Sequence, residues 1–95
     1  MADLLLSKAF THADGSRVLA EAYDVPETER FPRGIKYRFQ YTASDGRTLL
    51  RYDNAHGDHD RHREGEVEQI AFDSLGNHYR RFKEEVETIY DRRTD

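Results

Sequence analysis

Regular alternation of apolar and polar residues is clearest in segment 35–42, IKYRFQYT, and it predicts a β-strand. The apolar positions are Ile35, Tyr37, Phe39 and Tyr41. The polar positions between them are Lys36, Arg38, Gln40 and Thr42. An antiparallel sheet commonly buries one face and leaves the other in water. We therefore expect the apolar positions in the core and Arg38 on a wet face.

Two Asp-Gly pairs predict hairpin turns, because both residues tolerate the positive φ that tight turns need. They are Asp14-Gly15 and Asp45-Gly46. The strands joined in this way are predicted at 4–12 with 17–25, and at 35–42 with 47–54. In the first strand, Leu4, Leu6 and Phe10 share one face. The two alanines of 17–25, Ala20 and Ala22, also permit a helix there. Two prolines and a glycine make 26–34 a connection.

The fourth strand positions a group of candidate functional residues. If Leu50 and Tyr52 are in the core, then Arg51 and Asp53 project from the same wet face as Arg38. A polar stretch follows to about Gly65, and 66–72 is predicted as a fifth strand.

The last predicted element is a helix over 74–92, with Asp73 or Ser74 as its N-cap. Its apolar stripe is formed by Leu75, Tyr79, Phe82, Val86 and Ile89. The fold class is thus α+β, a single domain over 1–95. An antiparallel sheet of about five strands in two hairpins carries one C-terminal amphipathic helix on one face.

Composition narrows the functional classes. The sequence has no cysteine, which excludes disulfides, thiolate metal sites and a cysteine nucleophile. Its longest apolar run is Leu4–Leu6, so we predict neither a membrane span nor a secretion signal, and we expect a cytoplasmic protein. The net charge of −4 argues against general electrostatic binding of nucleic acid. Arginines still outnumber lysines by twelve to three, which favours bidentate contacts to phosphate or carboxylate.

Segment 51–65, RYDNAHGDHDRHREG, concentrates the titratable chemistry, with three of the five histidines. A metal site is one interpretation, because a loop can wrap His56, His59 and His62 around zinc or manganese, with Asp53 or Asp58 added. No recognisable motif fixes that geometry, so we predict no metal and no cofactor. A solvated loop without a function is a second interpretation.

Acid–base cleavage of RNA is the third interpretation, since histidine exchanges protons near neutral pH and arginine stabilises phosphate charge. The candidate catalytic residues are Arg51, Tyr52, Asp53, His56, His59 and His62. The candidate substrate-binding residues are Arg38, Arg61, Arg63, Arg80 and Arg81. A predicted strand holds the segment up to His56, whereas 58–63 is predicted to be a mobile polar loop. The chemistry is therefore centred on Arg51–His56, with His59 and His62 as helpers.

Four features of the sequence together resemble the TumE family of prokaryotic toxins. They are the R-Y-D-N-x-H core of Arg51–His56, the spaced histidines after it, the YRFQY strand before it and the terminal helix. The likeness covers about 35–86, and residues 1–34 carry none. The resemblance implies a cytoplasmic toxin with a cognate antitoxin as its partner, acting on RNA or translation. A homodimer is left open.

The leading hypothesis is a metal-independent ribonuclease toxin centred on His56, Arg51 and Tyr52. The first alternative is a non-catalytic module that binds RNA, a ribosome or a protein. The second alternative is a nuclease that depends on a metal held by histidine and aspartate.

Overall fold

The computed structural model describes residues 3–94, which form one six-stranded sheet and one helix. The elements are β1 (Asp3–Thr11), β2 (Arg17–Asp24), β3 (Ile35–Thr42), β4 (Thr48–Asp53), β5 (Asp60–Arg63), β6 (Glu66–Gln69) and α1 (Leu75–Thr94). The strands lie in chain order and each pairs antiparallel with the next. The predicted α+β class with a C-terminal helix is confirmed. Within residues 3–94, no helix combines the length and apolar character needed to cross a membrane.

Both predicted Asp-Gly turns are confirmed. Gly15 and Gly46 adopt φ values of 87° and 91°, which side chains with a Cβ rarely tolerate. In each turn the aspartate carboxylate accepts a hydrogen bond from the backbone N–H two residues later, at 2.8 Å for Asp14 and 2.9 Å for Asp45. The turn residues therefore stabilise their own conformation.

The core lies between the helix and one face of the sheet. Its strand residues are Val18, Ala20, Ala22, Tyr37, Phe39, Tyr41, Leu50 and Tyr52. The alternation predicted for β3 and β4 is therefore confirmed, and 17–24 is a strand rather than a helix. The three small side chains of β2 alternate with larger residues and lie in the core.

The helix begins as its sequence predicts. The Ser74 hydroxyl accepts a hydrogen bond at 3.2 Å from the N–H of Asn77, which is an N-cap contact. Phe82, Val86 and Ile89 are buried against the sheet, and Leu75 and Tyr79 pack beside them. Phe82 contacts the rings of both Phe39 and Tyr52, so the helix closes the core over β3 and β4.

The polar segment 58–63 differs from its prediction. Residues 60–63 form β5, so the expectation of a mobile loop is wrong there and the sheet has six strands rather than about five. Backbone pairing with β4 and β6 holds this strand, and its four side chains are all half-buried although none is apolar. The predicted fifth strand, 66–72, corresponds to β6 and ends at Gln69.

The first strand also differs from its prediction. The register shifts between Leu4 and Leu6, so Leu4 lies opposite Tyr23 while Leu6 lies opposite Ala22. This bulge adds a residue and reverses the parity, so Leu4 and Leu6 do not share a face. Leu6 packs on the core, whereas Leu4 and Phe10 are exposed.

Replacing Phe82, which is fully buried, should test how far the core depends on the helix. Phe82→Ala should lower the free energy of unfolding by about 3–5 kcal/mol, because it leaves a cavity between two aromatic rings. Phe10→Ala is the matched control at an exposed ring and should cost about 1 kcal/mol or less. Urea unfolding measures both, and equal losses would contradict the assignment of the core.

Candidate functional site

The sheet face opposite the helix is an open groove of about 1000 Å³. Its lining comes from β1 to β5 and from the segment after β4. The lysine, arginine, acidic and histidine side chains that line it are Arg17, Glu21, Lys36, Arg38, Arg51, Asp53, His56 and His62. The wet face predicted for Arg38, Arg51 and Asp53 is thus confirmed, and it is concave.

Strand register brings the groove residues together. Arg38 lies opposite Asp53, and Arg51 lies opposite His62. Directly opposed residues of antiparallel strands point to the same face with their Cβ atoms about 4.5–5.5 Å apart. Asp60 lies opposite Asp53 on the other side, which brings two carboxylates together.

Arg51, Asp53 and His62 form a compact ionic cluster at the centre of this arrangement. The Arg51 Nε lies 2.9 Å from Asp53 Oδ2, and the His62 Nε2 lies 3.6 Å from the same oxygen. The Arg51 guanidinium also lies 3.3 and 3.4 Å from the two ring nitrogens of His62. Asp53 is nearly buried while Arg51 and His62 are half-exposed, so the cluster is both held in place and reachable.

His56 lies just after β4 and is exposed on the groove lining. Its neighbour Asn54 is buried and anchors this end of the strand. The Asn54 Oδ1 accepts the Tyr37 N–H at 2.9 Å, and its Nδ2 donates to the Ile35 carbonyl at 2.8 Å. Asp53 and Asn54 of the R-Y-D-N motif therefore have different roles. Asp53 belongs to the ionic cluster, whereas Asn54 joins β4 to β3.

Three side chains of the open face are close enough to share a cation. One ligand atom from each of Asp53, Asp60 and His62 lies within 4.8 Å of the others. Arg51 is ion-paired to Asp53 beside them, so a metal would have to displace the guanidinium or accept it as a neighbour.

Tyr52, Arg61 and Arg63 lie on the opposite face, under the helix. Tyr52 is fully buried and its hydroxyl donates to Glu85 at 2.5 Å. Arg61 makes a hydrogen-bonded ion pair with the same carboxylate, and Arg63 lies 3.2 Å from it. These three predicted site residues therefore do not meet His56 and His62 in the groove.

Glu85 joins the helix to β4 and β5 through these contacts. Burial alone would raise the pKa of Glu85, but hydrogen bonds from Arg61 and Tyr52 and the charges of Arg61 and Arg63 outweigh it and hold that pKa low. Glu85 thus stays ionised, and the two arginines are held by its carboxylate.

His59 is separated from His62 by the sheet. Its ring stacks on Phe72 with centroids 4.6 Å apart, and its Nδ1 lies 2.9 Å from the Tyr37 hydroxyl. His78, at the helix start, is buried among the rings of Tyr37, Tyr52 and Phe72. Both histidines take part in aromatic packing on the helix face.

Arg80 and Arg81 are exposed on the helix, on the far side of the sheet from the groove. Arg80 donates to Asn77 at 2.8 Å. The sequence prediction did not include Lys36, Arg17 and Asp60 as site residues. Strand parity could have indicated Lys36, which shares the alternation of Arg38, whereas Asp60 required the register of a strand that was predicted as a loop.

Comparison with known proteins assigns the chain to a family. The family model described as toxin TumE matches residues 5–90, nearly the whole chain. The chain belongs to the TumE toxin family. No curated protein and no solved structure gives a significant match.

Family membership confirms the resemblance and extends it. The match begins at residue 5, so the first hairpin belongs to the family region although we found no resemblance there. The protein is the toxin component of a toxin–antitoxin system, and a cognate antitoxin is the partner that this implies.

The buried position of His78 predicts a specific pH dependence of stability. Burial, with smaller contributions from the charges of His59 and Arg81, lowers the pKa of His78 from 6.5 to about 4. Between pH 6.5 and 4 the unfolded chain binds a proton at this histidine, whereas the folded chain does not. The free energy of unfolding should therefore fall as the pH drops from 6.5 to 4.

The His78→Phe variant, which cannot titrate there, should lose less stability than the parent over this pH range. Chemical unfolding at several pH values measures the difference. The Val67→Ala variant, which removes an exposed apolar side chain and no titratable group, is the control and should keep the slope of the parent. A His78→Phe slope equal to that of the parent would contradict the buried neutral histidine.

Proposed function

We propose that this TumE toxin acts in the cytoplasm as a metal-independent ribonuclease, with RNA bound along the open groove. The observation that carries the proposal is the cluster of Arg51, Asp53 and His62 beside His56 on one exposed concave face. These side chains supply proton exchange and phosphate binding together, which RNA cleavage by its own 2′-hydroxyl requires.

The charge of the groove supports an anionic substrate. Four cationic and two anionic side chains line it, giving +2 in a chain whose net charge is −4, and protonation of His56 and His62 would bring it to +4. A cationic groove of this kind attracts a phosphate backbone. Arg38 lies opposite Asp53, and Lys36 is two residues further along β3, so both extend the cationic surface along that strand.

The proposed reaction uses His62 as the base and His56 as the acid. His62 takes the proton of the 2′-hydroxyl, the 2′-oxygen attacks phosphorus, and the bond from phosphorus to the 5′-oxygen breaks. His56 donates a proton to that leaving oxygen, which leaves a 2′,3′-cyclic phosphate and a 5′-hydroxyl. Asp53 stabilises the imidazolium of His62 from 3.6 Å, and Arg51 stabilises the charge on the phosphate.

Single substitutions in the groove test this proposal. Removing the acid or the base should lower the cleavage rate by about 10²–10⁴-fold. His56→Ala and His62→Ala should therefore relieve the growth arrest caused by producing the toxin without its antitoxin, and Arg51→Ala should do the same.

The matched control is Arg80→Ala, which removes an arginine from the far side of the sheet and should leave toxicity unchanged. Purified variants are compared by cleavage of labelled RNA at equal concentration. Full toxicity of His62→Ala at equal protein level would refute its role as the base. Labelled RNA that is bound but recovered intact would instead favour a non-catalytic module.

A metal-dependent nuclease is the second candidate, and the proximity of Asp53, Asp60 and His62 favours it. Asp60 separates the two mechanisms because only the metal mechanism uses it. If the cleavage is metal-independent, EDTA and Asp60→Asn should each leave the rate within about threefold of the parent, less than the loss expected from a missing acid or base. Loss of activity in both experiments, with recovery on adding Mn²⁺ or Zn²⁺ to the parent, would favour the metal mechanism.

A further inference from the structure

The sheet has two edges of very different length. In the described chain, β1 has nine residues and β6 has four. An edge strand leaves one row of backbone N–H and C=O groups unpaired, and a long edge is a template for another strand. β1 is exposed at every position except the half-buried Leu6.

Apolar side chains concentrate at this long edge. The large apolar residues most exposed in the described part of the chain are Leu4 at 56%, Leu5 at 47%, Phe10 at 38%, Leu19 at 49% and Val67 at 59%. Four of these five lie on β1 or on its neighbour β2. An exposed apolar group beside free backbone hydrogen-bonding groups is typical of a surface that binds an added strand.

Two features of β1 oppose pairing with a second copy. A bulge interrupts the strand at Leu5, and bulges and lysines are devices that protect sheet edges from each other. An antiparallel pair of β1 strands centred on Lys8 would place two ammonium groups directly opposite each other, which is destabilising. The same lysine would favour an acidic side chain on a different partner.

We propose that β1 is the docking edge for the antitoxin, which adds an extended segment with apolar and acidic side chains as a seventh strand. Apolar residues of that segment would cover Leu4 and Leu5, and an acidic residue would pair with Lys8. A protein partner of this toxin is already implied by its family, whereas the edge assigns the place and the mode of contact.

The position of β1 also explains how docking there would neutralise the toxin. Ala9 and Thr11 of β1 line the open groove, so the docking edge forms the rim of the groove. A chain that leaves the edge at this point can cross the groove, where the net charge of the lining is +2 and favours acidic residues. The docked segment would therefore cover the groove whatever reaction takes place there.

Matched substitutions on the two edges test the proposal. The probe is the antitoxin encoded by the adjacent gene, purified and titrated against the full toxin chain. Leu4→Lys and Lys8→Glu should weaken its affinity by about tenfold or more, the loss typical of an important interface contact. Val67→Lys places the same new charge on β6 and should change the affinity by less than about twofold, as a residue outside the interface.

Hydrogen exchange supplies a readout of the strand itself. Binding of the antitoxin should protect backbone amides of β1 and leave those of β6 unchanged. Unchanged affinity in both β1 variants, protection confined to other elements, or no binding by the parent toxin would each overturn the proposal. If the parent toxin is dimeric without antitoxin and the Leu4→Lys variant is monomeric, the edge is assigned to a second copy instead. Thermal unfolding of each variant checks that its fold is intact.

Discussion

The two-residue period of β4 is the constraint on which the rest of the structure depends. Consecutive strand residues point to opposite faces, so the Arg51-Tyr52-Asp53 segment cannot place all three side chains in one site. Tyr52 enters the core under the helix, while Arg51 and Asp53 enter the groove. Each face then depends on the other, because burial of Tyr52 and Leu50 fixes the strand that aims the ionic cluster. A one-residue slip of register would exchange the two sets and destroy both the core and the groove.

Glu85 extends this constraint to β5, which has no apolar residue to hold it against the helix. Its carboxylate accepts hydrogen bonds from Tyr52 of β4 and from Arg61 and Arg63 of β5. Arg61 and His62 are adjacent, so fixing Arg61 on the helix face directs His62 toward Arg51 on the other. A charge-assisted contact of this kind is stronger than a neutral one, and here it takes the place of hydrophobic packing. The position of His62 thus depends on an ion pair that lies on the opposite side of the sheet.

Patterns with a clear local period predicted most of the fold. The alternation of β3, the Asp-Gly turns and the spacing of the helix stripe each follow from short-range geometry, and the structure confirms them. β5 was not predictable in this way, because its residues are held by a helix contact 24 positions away, between Arg61 and Glu85. The bulge at Leu5 was missed for a related reason, since it is a mismatch between two strands and neither strand shows it alone. The same limit applies to the site, where Arg38, Arg51 and Asp53 were placed by parity but Asp60 needed the register.

The histidine-rich segment shows how register can change a functional interpretation. Read as a loop, H-x-x-H allows His59 and His62 to converge on one ligand. In the structure an odd spacing at the start of a strand sends them to opposite faces, and His59 becomes part of an aromatic stack with Phe72. Between these two, the residue available to the groove is His62, which the sequence had ranked as a helper. A strand restricts a side chain more than a loop does, so His62 is better preorganised than His56 for a reaction that needs fixed geometry.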